Sequence, residues 1–594
     1  MRGRWLTLSA WACAALMMTA QSRAAPPIAW QTRWSEALFT QAKREHRFVL
    51  LDLHAVWCHW CHVMDEKTYS DPQVQALMAK YYVTVSVDAD GDPDLTSRYG
   101  DWGWPATIVL AADGSEIVKR RGYIPATQMA SLLQAIVDDP SPGPSVAPAV
   151  VIARGGSRLG GQQRAALTEA YERLYDEQHG AWGDVHKFID AAALELTYSK
   201  IDDGDKVALR RGRQTLDANL HLIDPVWGGV YQYSDEVDWL SPHYEKLMSF
   251  QADDLRLYSE AYARWQDPRY LAAAAALYGY MTRFLAAPDG GFYSSQDADV
   301  SAEMSGHEFY SKDDAARRAI GMPHVDSHEY ARETGWAIRG LCKYYDITGK
   351  QDVLATAERS ARWLLTQRLR ADGSFRHDIQ DRGGPFLDDA LAASQAFVAL
   401  YRSGGEKVWL ESAAAALDYI DGHLRDRQAG YIATPRADRA LGVFRDAVLQ
   451  PEQNASLARA ANFVYYYTGN QRYRAMARRG MKYLAAFARA APGQLRAEIL
   501  LTDRELSTAP IHITVVGRKG DREAQALHRA ALRYPADYLQ IDWWDPDEGR
   551  LPNPEIQYPQ LERAAAFACS GSACSTPVFE ADEIVPAVRA ALAP

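Results

Sequence analysis

Cys58-His59-Trp60-Cys61 is the first place in this sequence where residue types and spacing imply chemistry. The apolar run Phe48–Leu53 reads as a buried strand that leads into it, and a helical pattern follows from about Cys61 to Tyr69. At a helix start, free backbone N–H groups and the helix dipole favour a thiolate. Cys58 is then the nucleophile toward a disulfide, and Cys61, one turn further in, resolves the mixed disulfide. His59 lies between them and is placed to stabilise a thiolate. Rival chemistries use the same residues. Cys58 to His62 spells C-x-x-C-H, the c-type haem attachment pattern. Haem would need His62 on the iron, where a helix start packs against its fold. A metal site from Cys58, Cys61 and His59 or His62 is chemically feasible. A purely structural disulfide is the blandest reading. Redox exchange is favoured over all three, with no metal and no cofactor expected.

Other reactive groups lie later in the chain. His243 and Glu245 share the segment Pro242–Lys246, and Asp297 and Asp299 share Gln296–Asp299. His377, Asp388 and Asp389 follow, with Tyr293 as an aromatic neighbour. Paired carboxylates supply acid and base for glycoside cleavage, and histidines serve proton transfer at a sugar carbon. Each has a bland alternative. Asp297, Asp299, Asp388 and Asp389 are placed to cap helices. His243 suits a satisfied buried histidine, and Tyr293 a core aromatic. Cys569 and Cys574 form a second close pair, either a redox partner of the first or a static clip. Cys342 sits in an apolar helix, Trp336–Tyr345, and reads as core.

Three further residues make the first dithiol specific. Trp57 immediately precedes it, Asp52 lies six residues before Cys58 on the buried strand, and Trp104-Pro105 forms a turn downstream. These match the acid and the cis-proline loop that surround the dithiol of thioredoxin, which the segment resembles. Leu51-Asp52-Leu53 and Ser70–Val74 also resemble the C-terminal domain of bacterial transmembrane disulfide reductases. The resemblance implies that Asp52 relays the resolving thiol's proton and that Pro105 is cis.

The elements that must position these groups fall into blocks. After the dithiol come a helix, Gln73–Lys80, and strands Tyr82–Val87, Ala106–Leu110 and Ile117–Arg121, the last two joined at Asp113-Gly114. Thr127–Val137 is a closing helix, and a proline-rich stretch, Asp138–Pro144, reads as a linker. Then the chain becomes helical and repetitive. Long amphipathic helices alternate with short turns and with six glycine-containing loops, among them Gly228–Tyr231, Gly290–Tyr293 and Gly430-Tyr431. Such pairs must stack to bury their apolar faces, as an open solenoid or a closed toroid. The tail returns to α/β character, with strands Ile511–Val516 and Tyr538–Ile541 and helices Asp521–Arg533 and Ile584–Leu592.

Composition bounds the rest. With 594 residues the chain is too long for one core. The balance of 76 Asp+Glu against 65 Lys+Arg argues against a nucleic-acid partner. Arg2 and Arg4, an apolar stretch Trp5–Ala20 and small residues near Ala24 read as a secretory signal. The expectation is an exported, periplasmic placement without stable membrane insertion after cleavage.

Taken whole, the chain resembles the spermatogenesis-associated protein 20 family. The resemblance rests on Trp57–Met64, Gly103-Trp104-Pro105, Trp239–Leu247, Gly290–Asp299, Phe386–Asp389 and the stretch around Asn454. It implies a thioredoxin-like domain joined to a six-hairpin barrel, which favours ring closure. There are departures at Asp88–Pro93 and Asp184–Phe188, where the family reads differently. The expected fold is multidomain: a thioredoxin-type α/β domain, an all-α (α/α)6 toroid and a small C-terminal α/β segment. Its expected bounds are 1–25 signal, 26–138 thioredoxin-like, 139–162 linker, 163–505 barrel and 506–594 tail. The leading function is thiol–disulfide exchange with a protein client or redox donor. A sugar-active barrel and a non-catalytic peptide- or glycan-binding barrel are the alternatives.

Overall fold

The computed structural model describes residues 27–145, 156–183, 185–301, 304–380, 383–436, 440–490, 493–570 and 573–592. The expected signal at 1–25 and part of the linker lie outside these residues.

The N-terminal domain runs α1 (Glu36–Glu45), β1 (Phe48–His54), α2 (His59–Lys67), α3 (Pro72–Tyr81), β2 (Tyr82–Asp88), α4 (Pro93–Tyr99), β3 (Ala106–Leu110), β4 (Glu116–Arg121) and α5 (Ala126–Asp138). Its sheet has the order β2-β1-β3-β4, with β1 parallel to β2 and the other pairings antiparallel. β1 is central, and its five inner residues are all buried, which is why it reads as an unbroken apolar run. Asp71 caps α3 by accepting from the amides of Gln73 and Val74, with Pro72 in the first turn. α1 and α4 are additions to the sequence reading. α4 has seven residues, too few for a visible period, and is set by Asp92 capping Leu95.

The helical domain comprises α6 (Gly161–Arg173), α7 (Ala191–Asp202), α8 (Lys206–Asn219), α9 (Met248–Trp265), α10 (Pro268–Tyr280), the short α11 (Gly306–Tyr310) and α12 (Asp314–Ile320), α13 (Ala331–Thr348), α14 (Gln351–Trp363), α15 (Leu387–Gly404), α16 (Lys407–His423), α17 (Pro451–Thr468), α18 (Gln471–Ala490) and α19 (Ala497–Glu505). The inner helices α7, α9, α13, α15, α17 and α19 each pack on the next, and α19 returns to α7. The ring is therefore a closed (α/α)6 toroid. Its last hairpin is assembled from both ends of the domain, since α6 packs on α18 and α19.

The glycine-aromatic loops follow the outer helices. Single β-bridges pin them, Tyr175 to Trp182, Ile223 to Val230, Ala286 to Phe292, Leu369 to Phe375 and Arg425 to Tyr431. Gly228, at φ +74°, shows why: a Cβ there would lie 2.4 Å from the carbonyl oxygen of Ala276. These loops lead to the N-terminal ends of the inner helices. Short strands β5 (Tyr233–Ser234), β6 (Pro242–His243), β7 (Lys246–Leu247), β8 (Ser295–Gln296) and β9 (Val325–Asp326) build up that rim.

The tail forms β10 (Ile511–Val516), α20 (Arg522–Leu532), β11 (Leu539–Trp544), β12 (Ala565–Ser570), β13 (Ala573–Cys574) and α21 (Ile584–Leu592). Its sheet order β11-β10-β12-β13, one parallel pair and two antiparallel, repeats the order of the N-terminal sheet. β12 and β13 extend the sequence reading; Ala-rich strands carry little β signal.

The two α/β units cover opposite ends of the ring. The N-terminal unit meets the rim, as where Arg98 donates to the carbonyl of Val443 at 3.1 Å. The C-terminal unit meets the other ends of the inner helices: Tyr401 donates to Asp542 at 2.8 Å, and Arg264 to the carbonyl of Pro535 at 2.9 Å. Among the described residues, no helix is long and apolar enough to cross a membrane.

Inner helices α13 and α15 approach closely at Gly335, where a Cβ would stand 2.8 Å from the Ala392 backbone. Overpacking of about 1–3 kcal/mol should exceed the roughly 1 kcal/mol helix-propensity gain of Gly335→Ala. A lower urea midpoint is expected, and an unchanged or raised one would contradict this packing.

Candidate active site

The dithiol lies where α2 begins, and α2 points its N-terminus at the rim of the ring. Cys58 is the N-cap residue, and its Sγ accepts from the amide of Cys61 at 3.1 Å. The two cysteines are joined by a disulfide. Both are only 4% exposed, because Leu247 at the start of α9 and the half-buried Phe250 pack against them with Trp57. The Trp104–Pro105 peptide is cis, and Trp104 packs on the same cluster.

Three rim carboxylates meet α2. Glu245 accepts from the amide of His59 at 3.3 Å through Oε1. Nδ1 of His59 donates to Asp299 at 2.6 Å, and this bond holds its imidazole above the usual pKa. Nε2 of His62 lies 3.8 Å from Asp297, whose carboxyl burial pushes up to about 7. His59 therefore turns its ring to the rim. The sequence had it acting on the neighbouring thiolate alone. The ligand atoms of His62, Asp297 and Asp299 lie within 4.8 Å of one another, a spacing compatible with a cation.

Asp52 is buried in β1, and Tyr69 and Ser86 donate to its two oxygens at 3.0 and 2.9 Å. Burial raises its carboxyl pKa, which suits a group that holds and passes a proton. Trp57 donates from its indole nitrogen to Asp90 at 2.8 Å.

The barrel candidates divide into two groups. His243, Glu245, Asp297 and Asp299 gather at the dithiol, with Nδ1 of His243 3.7 Å from Oε2 of Glu245. His377, Asp388 and Asp389 stand apart from them, and His377, braced by Asp389, clasps the loop after β2. His377 donates to Asp389 at 2.9 Å and to the carbonyl of Asp90 at 2.7 Å. Both ring nitrogens face acceptors, so the imidazolium alone satisfies both. Asp388 accepts from Gln453 at 2.9 Å. The expectation of one barrel ligand site thus resolves into a dithiol rim and a domain clasp, because the loop before α13 and that before α15 reach different parts of the N-terminal domain. Tyr293 is partly buried against the main core. The sequence reading missed Asp88 and Asp90. Their signal was three aspartates within Asp88–Asp92, directly after a buried strand.

Cys569 and Cys574 are a cross-strand disulfide between β12 and β13, in the unit at the far end of the ring. An inner helix such as α9 has 18 residues, which at 1.5 Å per residue is about 27 Å. The two pairs therefore lie at opposite ends of the ring within one chain. Cys342 is fully buried.

A thioredoxin-fold dithiol domain, seated on the rim of a closed helical ring, is the class this geometry defines. Residues 17–138 match the family Thioredox_DsbH, described as "Protein of unknown function, DUF255". The chain resembles spermatogenesis-associated protein 20 of mouse, at 26% identity over 313 residues, 47% of this chain and 39% of the relative. It also resembles uncharacterized protein B0495.5 of Caenorhabditis elegans, at 24% identity over 46% of this chain and 42% of that one. The chain spans about two-fifths of the length of these curated relatives. A shorter match, 38% identical over 95 residues (15% of this chain, 16% of the relative), is to the thiol:disulfide interchange protein DsbD of Ralstonia nicotianae. Among solved structures, a D-mannose isomerase aligns at TM-score 0.44 and 10% identity, covering 58% of this chain and 96% of that one. A cellobiose 2-epimerase from Bacillus thermoamylovorans aligns at TM-score 0.43 and 8% identity, covering 54% and 85%.

Glu245→Gln removes a buried negative charge beside the thiol and should speed iodoacetamide alkylation of the reduced protein at neutral pH by about 3- to 10-fold. His59→Ala should slow it, and the opposite order would refute the assignment. Burial beside Asp90 and Asp326 pushes the Asp88 carboxyl up to about 7, against roughly 4 in an unfolded chain. The folded state then binds the extra proton between those values, so stability falls as pH rises from about 4 to about 7. Asp88→Asn should flatten that part of the melting-temperature profile, and an unaltered slope would exclude it.

Proposed function

We propose that the protein is an exported thiol–disulfide oxidoreductase whose working pair is Cys58 and Cys61. The observation that carries this reading is the Sγ of Cys58 at the N-terminus of α2, accepting the Cys61 amide beside the cis-Pro105 loop. That amide and the helix dipole stabilise a thiolate on Cys58. Cys61 follows one turn inward as the resolving thiol, and buried Asp52 holds the proton that Cys61 must lose. The likeness of 95 residues to an interchange protein supports the reading. The signal-like N-terminus supports export to an oxidising compartment such as a periplasm. The helical ring acts as scaffold and recognition surface, and the client is a thiol or disulfide partner.

A sugar-active barrel is the second reading. It draws on His243, Glu245, Asp297 and Asp299 meeting at one rim, as acid and base groups of such enzymes must. In this arrangement His59 engages both Glu245 and Asp299. A sugar would have to displace His59 to engage both Glu245 Oε1 and Asp299.

Cys58→Ser should abolish disulfide reduction by the purified protein. Cys61→Ser should instead accumulate a mixed disulfide on Cys58, visible by intact mass. Full activity in Cys58→Ser would reject the reading.

A further inference from the structure

Between the dithiol face and the rim lies a cleft of about 500 Å³, within the size range of small-molecule sites. Cys58 lines one wall, with Trp60 and Arg121, and Tyr233, His243 and Glu245 line the other. Cys58 is otherwise covered by the ring, so this cleft is its approach from solvent. Glu245 is 3% exposed, and its Oε2 is buried with no hydrogen-bond partner among the described residues. That oxygen faces His243 on the cleft wall, 3.7 Å away, whereas Oε1 is taken by the His59 amide. A buried carboxylate oxygen without a donor is costly, and a ligand's N–H groups would satisfy it. Tyr233 stacks on His243 with ring centroids 4.4 Å apart, which gives the wall a flat surface. Across the cleft, Arg121 donates to the carbonyl of Asp101 through Nη2 and brings a positive charge to the same space.

We propose that this cleft binds a low-molecular-weight disulfide of the amino-acid or short-peptide type, with an ammonium group at Glu245, a carboxylate toward Arg121 and one sulfur at Cys58. The inference rests on the redox reading above and names its substrate class. The cleft has room for such a molecule, while a folded protein would have to part the two domains to bring its disulfide to Cys58. In the reaction, the Cys58 thiolate attacks one ligand sulfur, the ligand S–S bond breaks, and the first ligand thiolate leaves and is protonated. Cys61 then loses its proton, attacks the Sγ of Cys58 and releases the second ligand thiol. The ligand gains two electrons, the protein pair becomes the Cys58–Cys61 disulfide, and an external dithiol resets it.

The test uses the reduced full chain without oxygen and follows loss of its Cys58 and Cys61 thiols. The probes are glutathione disulfide, the uncharged bis(2-hydroxyethyl) disulfide and insulin. Glutathione disulfide should react at least about tenfold faster than either of the others, the worth of one charge-assisted hydrogen bond. Glu245→Gln should shrink the preference for glutathione disulfide over the hydroxyethyl compound by a similar factor. The preference is a ratio, so a general change in thiol reactivity does not mimic the result. Equal rates on the small disulfides, faster reaction with insulin, or a preference unaltered in Glu245→Gln would overturn the proposal while leaving the redox reading intact. Failure to react with any of the three would overturn both.

Discussion

The helix α2 cannot leave its N-terminus bare, and the way that terminus is satisfied organises the molecule. A helix start carries free amides and a partial positive charge. Here the Cys61 amide goes to the sulfur of Cys58, and the His59 amide goes to Glu245 of the ring. One end of one helix therefore binds both the Cys58 sulfur and the domain that covers it. His59 and His62 extend the contact to Asp299 and Asp297. The acidic rim and the helix start are electrostatic complements. Their docking leaves Cys58 reachable from one cleft while Leu247 closes the rest.

Such docking needs a rigid rim. The closed ring supplies it, because every inner helix has two inner neighbours and no end to fray. Closure depends on α6 and α19, which come from opposite ends of the domain and complete its last hairpin. The rim is then trimmed by two-residue strands and by loops whose glycines take backbone conformations that side chains would block. A second latch, His377 between Asp389 and the Asp90 carbonyl, fixes the loop after β2. At the other end of the ring, the C-terminal unit packs on the turns that close the inner helices. The two α/β units share a strand order, but only the first carries cysteines at a helix start.

Much of this was legible in the sequence. β1 and β3 announce themselves as short apolar runs, α3 by Asp71-Pro72, and the six hairpins by alternation of amphipathic helices with glycine loops. The cis-proline loop and the dithiol could be placed because their chemistry is local. α4 could not, since seven residues cannot display a helical period. β12 was hidden by its alanines. Asp88 and Asp90 were seen only as a departure from a family pattern, although Asp90 binds Trp57 beside the dithiol.

The sequence by itself determined the Cys58–Cys61 pair and the folds that carry it, because a C-x-x-C at a strand–helix junction and a periodic apolar face are properties of neighbouring residues. Only the tertiary structure decided what the pair faces. Glu245 and Asp299 lie 186 and 240 positions from His59, and no local pattern encodes a contact of that span. Tertiary closure likewise separates His377 and Asp389 from His243 and Asp297, whose residue types are alike. It also moved Cys569 and Cys574 to the far end of the ring. Side-chain chemistry is written locally; which charges meet is settled by closure of the ring and the seating of one helix end upon it.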